Sequence, residues 1–198
     1  MTPTDARIAS ISRTTSETEV AVTVNIDGSG RANVSTGLGF LDHMFTALAR
    51  HSGFDLDLSC TGDTHIDCHH SAEDCAMVLG RALDAALGDR VGIERFADAT
   101  VPMDEALARA AVDLSGRPWP AIDLQLRREM LGDIACENLV HVLTTLAIEL
   151  RASVHVDVLK GRNDHHKVEA AFKALAIALR RAVAQTRAGD VPSTKGVL

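Results

Sequence analysis

The chain has 198 residues, enough for one ordinary domain or two small ones, and its 46% hydrophobic and 24% charged composition excludes wholesale disorder. Lysine and arginine number 20 against 27 acidic residues, a formal charge of −7, which argues against a broad electrostatic grip on nucleic acid or an anionic membrane; one Trp and no Tyr leave few parts for stacking single strands. The four cysteines, Cys60, Cys68, Cys75 and Cys136, make no CxxC pair, which suits reduced thiols and a cytoplasmic protein.

The opening MTPTDARIAS lacks the apolar core of a signal peptide. VAVTVNID alternates apolar and polar residues and runs into GSG, so it reads as a strand entering a hairpin turn, with RANVSTGL returning as its partner. LDHMFTALARHSG has helical spacing and a C-cap at Gly53. FDLDLSC is a short alternating strand, and SAEDCAMVLGRALDAAL an amphipathic helix closing at Gly88. The order is strand, strand, strand, helix, strand, helix. ALARAAVDL, WPAIDLQL, NLVHVLTTLAIEL, ASVHVDVL and KVEAAFKALAIALRRAVAQ repeat it, and the last is too interrupted by Lys173, Arg180 and Arg181 to span a membrane.

The repetition extends to single residues. HHSAED at His69 to Asp74 returns as HHKVEA, one step carrying His69 to His165, His70 to His166 and Glu73 to Glu169. A nearly equal step carries GFLDHM around His43 to ENLVHV around His141; DGSGR at Arg31 matches DLSGR at Arg117, RIAS at Arg7 matches RFAD at Arg95, and Glu17 falls near Glu105. The chain is therefore a duplication, with halves at 1–92 and 93–198 and a surplus within RREMLGDIACEN of the second. An α+β fold follows, an internal duplication of a strand-strand-strand-helix-strand-helix unit whose helices pack on one face of each sheet.

Six of the nine histidines fall into repeat pairs; His51, His65 and His155 do not, and a lone histidine is usually structural or superficial. Neighbours on a helix point about 100° apart, so His69 and His70 serve two ions more readily than one, with Glu73 near both. The same holds for His165, His166 and Glu169. The eight ligands His43, His69, His70, Glu73, His141, His165, His166 and Glu169 fall short of the roughly twelve positions of two octahedral ions. Positions left to water or substrate suggest catalysis rather than a closed structural site. Imidazole suits Zn, Fe, Ni or Cu, the spacing is neither HExxH nor HxxEH, and ligand chemistry leaves the metal open.

GFLDHM, CHHSAED, SGRPW, GRNDHHKVEAAFKALA and the terminal STKG resemble the imidazoleglycerol-phosphate dehydratase family over essentially the whole chain. That resemblance implies a ribosomal protein S5 domain 2-like topology, two Mn²⁺ per active site held by those eight residues, and a homo-oligomer of twenty-four subunits with sites at interfaces. It implies Arg95, Arg117, Lys167, Ser193 and Lys195 as substrate-binding residues and places Glu17 at the substrate as the first candidate for moving protons, with Glu73 or Glu169 as substitutes. The expected reaction is loss of water from imidazoleglycerol phosphate to give imidazoleacetol phosphate in histidine biosynthesis, through a metal-stabilised imidazolate and a diazafulvene-like intermediate. The rival expectation is a non-catalytic metal-binding protein that uses HHxxE as a subunit clip.

Overall fold

The computed structural model describes residues 6–186 and 193–194. The first half runs β1 (Ile8–Thr14), β2 (Thr18–Asn25), β3 (Ala32–Ser35), α1 (Gly39–Ser52), β4 (Asp55–Gly62) and α2 (His69–Leu87). The second runs β5 (Phe96–Met103), β6 (Ala106–Asp113), β7 (Trp119–Asp123), the short β8 (Met130–Leu131) and β9 (Ile134–Ala135), α3 (Cys136–Glu149), β10 (Ser153–Lys160) and α4 (Asp164–Ala182). The sheets have the same plan, β1-β2-β4-β3 and β5-β6-β10-β7. The surplus in the second half is the β8–β9 hairpin.

Alternation sets which face of each strand is buried. Val20, Val22 and Val24 of β2 and Val154, Val156 and Val158 of β10 are all at most 2% exposed, while the residues between them face outward or lie at intermediate depth. Helices cover those buried faces, α2 on β1 and β2, α4 on β5 and β6. The halves then meet helix to helix, α1 on α4 and α2 on α3. Phe45 of α1 and Phe172 of α4, both fully buried, meet edge to face with centroids 6.4 Å apart. At the other crossing a Cβ on Gly80 would stand 2.7 Å from Glu149 Cβ and 3.0 Å from the Leu146 carbonyl, so glycine is what lets α2 approach α3. Truncating a side chain such as Phe172 would cost about 3–5 kcal/mol.

One strand expectation fails. RANVSTGL does not return along β2, because β2 is already flanked by β1 and β4; β3 instead pairs parallel with β4, Ala32 opposite Leu56 and Val34 opposite Leu58. The Asp55 carboxylate accepts from the amides of Ser29 and Arg31 and from the Arg31 guanidinium, which ties the glycine turn to the start of β4. A Cβ on Gly28 would lie 2.4 Å from the Asp55 amide nitrogen, so the close approach needs that glycine. Both long helices also start earlier than expected, at His69 and Asp164, which puts each double histidine in a first helical turn.

Candidate active site

The first turns of α2 and α4 lie beside the lone histidines of α3 and α1, each helix facing the other half of the chain. His69 and Glu73 of α2 meet His141 of α3; His165 and Glu169 of α4 meet His43 of α1. Within each trio the donor atoms lie within 4.8 Å of one another. Glu73 accepts at 2.8 Å from His141 Nε2, with His69 Nε2 3.8 Å away, while Glu169 Oε2 lies 3.6 Å from His43 Nε2 and 3.4 Å from His165 Nε2. Two imidazoles and a carboxylate converging on one point suit a divalent cation, whose bonds of about 2.0–2.2 Å require donors only slightly closer together. Each trio draws on both halves, the simplest arrangement for two copies of HHxxE.

His70 and His166 turn away from the trios, in line with the wide angle between helical neighbours. His70 Nδ1 lies 3.0 Å from Asp63 Oδ2 and 3.9 Å from Glu17 Oε2. His166 Nδ1 is 2.7 Å from Glu105 Oε2. The Asp63 contact raises the pKa of His70, and the Glu105 contact that of His166. Glu105 also accepts from the amides of Arg162 and Asn163, and these bonds, with that from His166, hold its carboxyl down to about 2. Donating Nδ1–H to a carboxylate leaves Nε2 as the remaining ligand atom of each ring, which in His166 lies 3.8 Å from Asp104 Oδ2.

Lys173, missed in the sequence, donates to Glu169 Oε1 at 2.7 Å from one helical turn along α4. Burial opposes ionisation of Glu169, but the Lys173 bond and charge, with those of His43, bring its pKa below the ordinary value. Only the i,i+4 spacing from Glu169 pointed to it. Also unforeseen are Asp63, Glu105 as an anchor, and Asn138, whose Oδ1 lies 2.9 Å from His69 Nδ1.

Lys167, which the resemblance assigns to the substrate, is held inside the fold. Its side chain is 2% exposed and its ammonium donates to Asp164 Oδ1 and to the Gln125 carbonyl, both at 2.8 Å. Asp164 also accepts from the amides of Arg127 and Arg128, so the pair fastens the approach to β8 onto α4. In HHKVEA position 167 follows the two outward histidines and turns to the core side of the helix.

Arg95 and Arg117 lie at the far end of the second sheet. Arg95 donates to Asp113 and stacks on Phe96, guanidinium carbon 4.4 Å from the ring centroid; its amide bonds the carbonyl of Ala182 at the end of α4. Arg117 is exposed in the turn after β6. His165, at the start of α4, is therefore roughly 25 Å from Arg95 by helical rise, too far for one small molecule to touch both within one chain. Ser193 is half-buried, and Lys195 lies outside the described residues.

A family model for imidazoleglycerol-phosphate dehydratase matches residues 36–179, which include both HHxxE motifs together with His43 and His141. An imidazoleglycerol-phosphate dehydratase of Phytophthora nicotianae is 57% identical over 192 residues, 97% of this chain and 42% of that longer protein. One from Pyricularia oryzae is 47% identical over an alignment of 219 residues and covers 97% of each chain. The crystal structure of imidazoleglycerol-phosphate dehydratase from Staphylococcus aureus superposes with a TM-score of 0.81 at 34% identity, over 90% of this chain and 99% of that one. Sequence, fold and the doubled motif agree: this chain belongs to the imidazoleglycerol-phosphate dehydratase family of hydro-lyases.

Proposed function

We propose that the protein dehydrates imidazoleglycerol phosphate to imidazoleacetol phosphate in histidine biosynthesis, and that it does so with two Mn²⁺ ions per active site. The observation that carries the reading is the pair of His-His-Glu trios, doubled by the duplication, with His70 and His166 beside them in the first turns of α2 and α4. The residues that would hold the ions are His43, His69, His70, Glu73, His141, His165, His166 and Glu169. Bound to these residues, the ions would supply Lewis acidity that favours the deprotonated substrate ring, the form from which the side-chain hydroxide can depart.

A base must take the proton from the neighbouring carbon, and the leaving hydroxide must gain one to depart as water. Glu17 is the group we assign to this traffic. It sits in the β1–β2 turn beside His70, its side chain 52% exposed, and its carboxylate makes no bond shorter than 3.9 Å with the ring. Glu73 and Glu169 are poorer bases, because their oxygens are committed to histidines and, in Glu169, to Lys173 as well. The enol left behind tautomerises to the ketone by returning a proton to carbon, which the same carboxylate can deliver.

Arg95, Arg117, Ser193 and Lys195 are assigned to the substrate phosphate, and their distance from the trios makes a second copy of the chain part of this reading. Arg95 would serve the phosphate on the trios of a neighbour, in a shell of twenty-four subunits with sites at interfaces. Lys167 has no part in it. We place the enzyme in the cytoplasm, on the strength of four free cysteines; among the described residues no helix is long and apolar enough to cross a membrane.

The test is to strip the purified protein with a chelator, restore Mn²⁺, and follow imidazoleacetol phosphate formation. Turnover that returns with metal is expected. A metal-replete protein that leaves the substrate unchanged would refute the reading and revive that of a non-catalytic metal clip.

A further inference from the structure

The duplication makes the trios look equivalent, but their surroundings differ at two repeat positions. Lys173 stands against Glu169, whereas the position that corresponds to it beside Glu73 is Met77. Among the described residues Glu73 meets only His69 and His141. The second difference is Asn138, which corresponds to Phe40. Asn138 is 5% exposed, and its Nδ2 donates to Cys68 Sγ, which also accepts from the Ala135 amide. With its NH₂ so committed, the amide turns Oδ1 to His69 Nδ1, so that Nδ1 carries the hydrogen and Nε2 keeps its lone pair toward Glu73. Phe40 offers His165 only a ring edge, centroids 5.1 Å apart, and among the described residues no group accepts from His165 Nδ1.

We propose that the two cation positions are unequal: the trio of His69, Glu73 and His141 takes a divalent metal first and holds it more tightly than the trio of His43, His165 and Glu169. Two causes act in the same direction. The Lys173 ammonium competes for the Glu169 carboxylate and adds a positive charge beside an incoming cation, in a setting where Glu169 is only 10% and Lys173 18% exposed and screening is weak. Asn138 fixes the tautomer and plane of His69, and removing such a partner of a ligating histidine typically costs about 10–100-fold in metal affinity. Asn138 is thus a positioning residue for the first site, and Lys173 lowers the affinity of the second.

The inference rests on reading the trios as cation sites, and the experiment separates the two. Crystals of chelator-stripped protein are supplied with one equivalent of Mn²⁺ per chain, and anomalous scattering gives the occupancy of each trio; equilibrium dialysis with elemental analysis gives the affinities. The parent should show Mn²⁺ mainly at the His69 trio and two affinity classes differing by about tenfold or more. Lys173→Met, which copies the first half, should bring the occupancies toward equality, and Lys173→Gln should do the same if methionine disturbs folding. Asn138→Ala should weaken the first class alone. Equal occupancies in the parent would overturn the inequality while leaving the sites intact, and an unchanged ratio in both Lys173 variants would overturn the part assigned to Lys173. Saturable binding elsewhere, with neither trio occupied, would overturn the underlying reading as well.

Discussion

Glu17 and Glu105 occupy corresponding turns of the two halves, yet they have been left with different tasks. Glu105 is tied by two backbone amides and by His166, and so works as an anchor for the first turn of α4. In the first half Asp63 takes over the ring of the corresponding histidine, His70, which leaves Glu17 exposed and adjacent. Glu17→Gln should therefore retain both metals and the native circular dichroism while turnover falls about 100-fold or more; near-normal turnover would pass the proton role to another group. Lys167 makes the opposite prediction. Replacing it by Ala leaves Asp164 buried without its cation, so stability should fall by roughly 3–5 kcal/mol in urea unfolding, with no selective rise in KM for the folded fraction. A pure KM effect at unchanged stability would return Lys167 to the substrate.

At the scale of elements, the amphipathic helices and the alternating strands were legible because each buries one face and shows its period in the residue order. So were the residues of the two trios, since the duplication pairs their four histidines and two glutamates across the halves. Strand neighbours were not: the alternation in ANVS names the buried face but is indifferent to which strand lies alongside. Nor was the start of α1, whose N-cap Leu38 has no side chain to offer. Its first amides, at Gly39 and Phe40, are instead satisfied by Asp133 at the tip of the β8–β9 hairpin, and no local pattern joins residues so far apart. The turn before β3 carries a pH signature. Arg31, with the amides of Ser29 and Arg31, holds the Asp55 carboxyl well below the usual carboxylate range. A carboxyl depressed in the fold favours the folded state above its unfolded value of about 3.9, and that contribution is lost as the pH drops further. Asp55→Asn should thus lose less of its urea midpoint than the parent between neutral pH and pH 3, and equal losses would show that this turn does not report on acid unfolding.

For the whole molecule, the separation between the trios and Arg95 has a mechanical meaning. If the neighbour supplies the missing groups, metal binding and association are linked, because the ion favours the assembled form over the separated one. Removing metal with a chelator should shift the particle toward smaller species, and Mn²⁺ at neutral pH should rebuild the large form and the activity together. Light scattering during the titration checks this: complete loss of metal at unchanged particle mass would take the ions out of the assembly contacts.

The crossed composition of the trios also speaks of history. Each half owns an HHxxE helix and one histidine of the pair His43 and His141, yet within a half these two never meet; each finds its complement in the other half. Two identical half-length chains related by a two-fold axis would present the same arrangement, with two interchangeable clusters that no mutation could distinguish, since every change would strike both. Fusion of the copies ended that constraint. Glu17 apart from Glu105, Met77 apart from Lys173, and Phe40 apart from Asn138 are differences open to one chain that carries both halves and closed to a dimer of identical halves, so their covalent joining is what lets the two trios be unlike.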